Sequence, residues 1–179
     1  PFEPTKSTLK SIYGYHRAFE DYLEQSASTG ISTYKNSKYT ENFGPAVIVV
    51  PDSASEEEQY AASLVQHAIK ELDRYQPEIV TDAIPKGGTG KREISIGNTN
   101  RPQGNAEVLS NDGYVIKAYD AGVAITGKGR RGVIDGAMEL LRMCGGFFWL
   151  TWDDGMKSNQ DCFKYSSDID YTYNAGTSG

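Results

Sequence analysis

Apolar residues in this chain gather into short blocks, and their spacing separates strands from helices. Ala46-Val-Ile-Val-Val50 is an unbroken, mostly β-branched run closed by Pro51-Asp52, the pattern of a strand buried on both faces that meets a turn. Ser55 with Glu58 three residues later forms a capping box, and Ala61, Leu64, Val65, Ala68, Ile69 and Leu72 follow on one helical stripe. A helix is predicted from about Glu56 to Arg74, stopped before Pro77. Glu78-Ile-Val-Thr81 and Glu93-Ile-Ser-Ile96 read as short strands, separated by the flexible Lys86-Gly-Gly-Thr-Gly90. Gly113–Tyr119 and Gly122–Thr126 are joined by only Asp120-Ala121, a connection that permits only an antiparallel hairpin. Val133, Ile134, Ala137, Leu140, Leu141 and Cys144 mark a second helix that Gly145-Gly146 ends, and Phe147–Leu150 reads as a last strand.

The predicted order is β-α-β-β-β-β-α-β. It specifies an α+β fold: a mixed sheet with a central antiparallel hairpin, packed against two main helices that cover one face. Three regions follow. Residues 1–44 form an arm, with Tyr15, Ala18, Phe19, Tyr22 and Leu23 on one face of an amphipathic helix expected to dock on the body. Residues 45–155 form the domain, and the polar stretch 156–179 reads as a tail or linker.

Length and charge narrow the function. The chain has 179 residues, enough for one core, and 18 Lys and Arg against 24 Asp and Glu give a net charge of -6. That charge repels a phosphate backbone, so a nucleic-acid partner is not expected. A membrane helix needs roughly 18 consecutive apolar residues, and the longest run here is Ala46–Val50. No membrane association is expected. The start at Pro1 leaves open a removed targeting segment and an excised fragment.

Metal and nucleophile chemistry find little material. His16 and His67 each lie on a predicted helix without a ligand-type residue four positions on, and no metal or other cofactor is expected. Cys144 and Cys162 lack zinc or redox spacing, which leaves both a disulfide and two unrelated thiols open. No serine elbow or Cys/His pair offers a catalytic nucleophile, and no catalytic residue is assigned. Glu56, Glu57 and Glu58 suit a helix N-terminus rather than a glycosidase acid pair.

Three motifs deserve a chemical reading. Gly127-Lys-Gly129-Arg-Arg-Gly132 spells a dinucleotide fingerprint, with Asp153 about 20 residues beyond. It follows the second arm of a hairpin rather than the centre of a parallel βαβ unit, so glycines for a tight strand-to-helix corner are the favoured reading. Lys128, Arg130 and Arg131 in that corner are the anion-contact candidates. Lys86–Lys91 has the composition of a phosphate loop without its spacing. Trp149, Trp152, Asp153 and Asp154 are the carbohydrate-contact candidates, since an aromatic face stacks on pyranose C–H groups while carboxylates accept hydroxyl protons.

Asp112–Lys117, Val123–Gly127, Arg131–Leu141 and Cys144–Leu150, together with Val47–Pro51 and Glu93–Arg101, give residues 45–155 a resemblance to a known domain. It is similar to the N-terminal domain of family 67 alpha-glucuronidases and family 20 beta-hexosaminidases. The resemblance implies an α/β sandwich that precedes a catalytic (β/α)8 barrel, with the catalytic acids in the barrel and none in this chain. The function it implies is a non-catalytic accessory domain of a secreted, periplasmic or cell-surface glycoside hydrolase, partnered by the barrel of the same polypeptide. A stand-alone module that binds an oligo- or polysaccharide is the alternative, and a dinucleotide-binding enzyme domain the third reading. Gly146-Phe-Phe148 departs from the shorter link between cysteine and tryptophan that the family pattern leads one to expect, and the 44-residue arm has no counterpart in it.

Overall fold

Five consecutive residues without a polar member, Ala46–Val50, form β2, and none is more than 6% exposed. A strand of this kind needs cover on both faces. The structure, a computed structural model, describes residues 41–149, 156–158, 160 and 162–174. These all fall in the second of two units, Pro1–Ser37 and Lys38–Gly179. The helix expected at Tyr15–Leu23 lies outside the described residues.

Strand β2 runs parallel to β3 (Glu78–Thr81) on one side and to β4 (Arg92–Ile96) on the other. β4 in turn pairs in parallel with β6 (Gly122–Gly127), and β5 (Tyr114–Tyr119) is antiparallel to β6 with Ile116 opposite Ile125. The predicted hairpin is therefore present, and with β10 (Asp170–Tyr173) at one edge the six-stranded sheet is mixed, in the order β10-β5-β6-β4-β2-β3.

Helix α1 (Glu56–Asp73) begins with the expected reciprocal cap. Ser55 Oγ accepts from the Glu58 N–H at 3.2 Å, and a Glu58 carboxylate oxygen accepts from the Ser55 N–H at 2.8 Å. It ends at Arg74 in the left-handed region. Helix α2 (Gly129–Gly145) ends at Gly146, whose φ of 61° suits a residue without Cβ. Ala61, Val65, Ala68 and Ile69 of α1 and Val133, Ala137, Leu140 and Leu141 of α2 join Ile48, Ile94, Ile96, Ile116, Val123 and Ile125 in one buried cluster. The two helices thus share one face of the sheet.

The opposite face is just as dry. Val47, Val49, Glu93, Ser95, Val115, Ala124 and Thr126 point there, and all are buried. Its cover includes the connection between β4 and β5. Thr99, Arg101 and Leu109 in that connection are buried, and a Cβ on Gly104 would stand 2.2 Å from the Val115 side chain. A one-turn 3-10 segment, Ala106–Val108, lies within it.

The region past residue 155 differs from the expected tail. β8 (Met156–Ser158) pairs with β7 (Phe147–Trp149), β9 (Lys164–Tyr165) pairs with β1 (Glu41–Asn42), and β10 (Asp170–Tyr173) is the edge strand beside β5. The correction has a physical cause: an edge strand has one neighbour and keeps polar residues, so its apolar period is weak. Phe163 and Tyr165 close over Phe43, with ring centroids 5.5 and 5.2 Å away, which ties this stretch to the entry of β2.

Candidate functional site

In open parallel sheets, ligands bind beyond the carboxyl ends of the strands, where strand order reverses. Here that point lies between β2 and β4, because the chain leaves β2 for β3 on one side and returns to β4 on the other. Its backbone donors are already occupied. Asp82 accepts from the N–H of Asp52 at 3.0 Å and of Asn100 at 2.9 Å. Glu58, beyond its role in the cap, accepts from the Asn98 N–H at 3.0 Å. Gly97, with φ of 90°, makes room for it, since a Cβ there would stand 2.1 Å from the Glu58 carboxylate. The protein's own carboxylates stand where an anionic ligand would.

Behind this rim, on the sheet face away from the helices, lies a buried polar cluster. Glu93 on β4 accepts from Arg101 through both oxygens, Nε to Oε2 at 2.8 Å and Nη2 to Oε1 at 3.0 Å. The two side chains are 0% and 1% exposed. Tyr119 Oη donates to Glu93 Oε2 at 2.7 Å and the Gly87 N–H to Oε1 at 2.9 Å. Burial pushes the Glu93 pKa up, but the hydrogen bonds from Arg101, Tyr119 and Gly87 outweigh it and hold the carboxyl below its usual range. Burial and the Glu93 charge both raise the Tyr119 phenol, which keeps it a donor. Every Glu93 lone-pair direction faces a donor of this chain, so the group acts as a clasp joining the β3–β4 loop, the β4–β5 connection and the hairpin. Changing Tyr119 to Phe removes one charge-assisted bond and leaves the others. The expected loss is about 1.5–2 kcal/mol, read from the urea midpoint.

The glycine corner is built for closeness. A Cβ on Gly127 would stand 2.1 Å from the Val133 nitrogen, and one on Gly132 would stand 2.5 Å from the Gly113 carbonyl oxygen. The Lys128 N–H donates to the Gly113 carbonyl at 2.9 Å, and the Asp112 N–H to the Lys128 carbonyl at 3.0 Å. Gly129 has a φ of 71°, and a Cβ there would stand 3.1 Å from the Asp112 carboxylate. After α2 the chain enters β7, which pairs with β8 and not with the six-stranded sheet, so no parallel βαβ unit surrounds the motif.

The three basic candidates diverge from this corner. Lys128 Nζ donates to the Leu109 carbonyl at 2.8 Å, Arg130 pairs with Glu57 at 2.7 Å, and Arg131 lies 4.0 Å from Asp135. The hydrogen bond from Arg130 lowers the Glu57 pKa, and Arg130 is raised in return. Of the carbohydrate candidates, Trp149 contributes its backbone to β7, opposite Met156. Its side chain and all of Trp152, Asp153 and Asp154 lie outside the described residues. Gln160 Nε2 donates to the carbonyls of both Cys144 and Cys162, at 3.0 and 3.2 Å, and burial pushes the Cys144 thiol pKa well up. Among the described residues no three His, Cys, Asp or Glu side chains gather as a metal site would need, and no helix is long and apolar enough to cross a membrane.

No protein-family model matches the chain, and no curated protein does. Solved structures do. A family 115 4-O-methyl-alpha-glucuronidase with specificity for decorated arabinogalactans aligns with 74% of this chain at 12% identity and a TM-score of 0.50. The chain shares its fold with part of a glycoside hydrolase. It corresponds to 18% of that enzyme's length. The family 20 beta-N-acetylhexosaminidase of Streptomyces coelicolor A3(2) aligns over 59% of this chain and 18% of its own, at 21% identity and a TM-score of 0.39. A family 138 enzyme targeting pectin rhamnogalacturonan II aligns over 54% and 10%, at 18% identity and a TM-score of 0.39.

Sequence reasoning missed Glu93, Arg101 and Tyr119. The available signal was a carboxylate near the start of a short strand that continues Ile-Ser-Ile, a position that requires a counter-charge if the strand is buried on both faces.

Proposed function

We propose that the chain is a non-catalytic accessory domain of a carbohydrate-active enzyme, packing against and supporting a catalytic barrel carried by the same parent polypeptide in a secreted, periplasmic or cell-surface setting. The observation that supports this reading is the 74% alignment with a piece amounting to 18% of an alpha-glucuronidase. The commitment of Glu58, Asp82 and Glu93 to this chain's own donors accords with it, because a catalytic acid must keep an oxygen for substrate.

The test is reconstitution. The downstream coding region is expressed as a barrel alone, as a barrel fused to this chain, and as the two pieces mixed. The barrel alone is expected to be less stable, with glycosidase activity recovered when this chain is present. Turnover of aryl glycosides by the 179 residues alone would overturn the assignment. A carbohydrate-binding role is the second reading, favoured by an exposed tyrosine on the edge strand, 39% accessible at Tyr173.

A further inference from the structure

We draw no further inference here: the strongest candidate, the surface at the end of edge strand β10 and the β4–β5 connection where Tyr173 and Val108 are exposed, carries nothing because nothing in the structure shows what covers it.

Discussion

Replacing Arg101 with alanine is expected to lower the unfolding free energy by about 3–5 kcal/mol, the largest loss from any single side chain away from the apolar core. The reason is burial. Glu93 is 0% and Arg101 1% exposed as side chains, so the variant leaves a carboxylate in the dry face of the sheet with only Tyr119 and the Gly87 N–H beside it. A paired substitution separates packing from charge. Arg101→Met with Glu93→Leu removes both ions and should recover more than half of the loss, because neither partner is then stranded.

Acid titration provides the sign. In the wild type the Glu93 pKa is held below its ordinary value, so its contribution is present above about pH 4.5, the unfolded value, and is lost as pH falls through the folded one. In Arg101→Ala, burial dominates and the carboxyl is raised, so the variant regains stability on acidification. The gap between the two proteins should therefore narrow from neutral pH toward about pH 4. Denaturation midpoints at several pH values measure it, and a gap that stays constant would mean that Arg101 acts by packing alone.

Which parts of this architecture could be read from the sequence follows from the range of the forces involved. Ala46–Val50, the Ser55–Glu58 cap and the Asp120-Ala121 link are local signals, and each is found where expected. The ion pair was not legible because Glu93 is on a strand and Arg101 in the irregular β4–β5 connection, so no single period relates them, and they meet only when that connection folds back over the sheet. That connection carries no apolar period, since its buried residues include polar Thr99 and Arg101, which bond Ser95 and Glu93 of β4. β10 was hidden for a related reason: Tyr171 and Tyr173 find their ring partner in Tyr114, some sixty residues away. In the opposite direction, Lys128, Arg130 and Arg131 are adjacent in sequence but leave the corner toward Leu109, Glu57 and Asp135. Successive residues at a helix start point about 100° apart, so a basic cluster in sequence need not become one in space.

The glycine corner yields the second large prediction. Gly127→Ala should destabilise the fold by about 3 kcal/mol or more, at the top of the range for forcing atoms into a packed site. The added Cβ meets backbone that cannot rotate away, namely the Val133 nitrogen at 2.1 Å and the Gly132 carbonyl carbon at 2.3 Å. Gly132→Ala drives against the Gly113 carbonyl oxygen at 2.5 Å and should behave alike. Gly87→Ala is the control: at φ of 72° with nothing within 4 Å of its Cβ, it carries only the left-handed backbone penalty of about 1–2 kcal/mol. Adding NAD to the wild type distinguishes contact from cofactor, since a ligand bound only by the folded state raises the melting temperature by mass action. The expected result is no shift, because the Gly113 carbonyl and the Asp112 carboxylate already occupy the approach to this turn. A rise with NAD, or a Gly127→Ala protein as stable as the Gly87→Ala control, would show that these glycines serve a ligand rather than the join between the hairpin and α2.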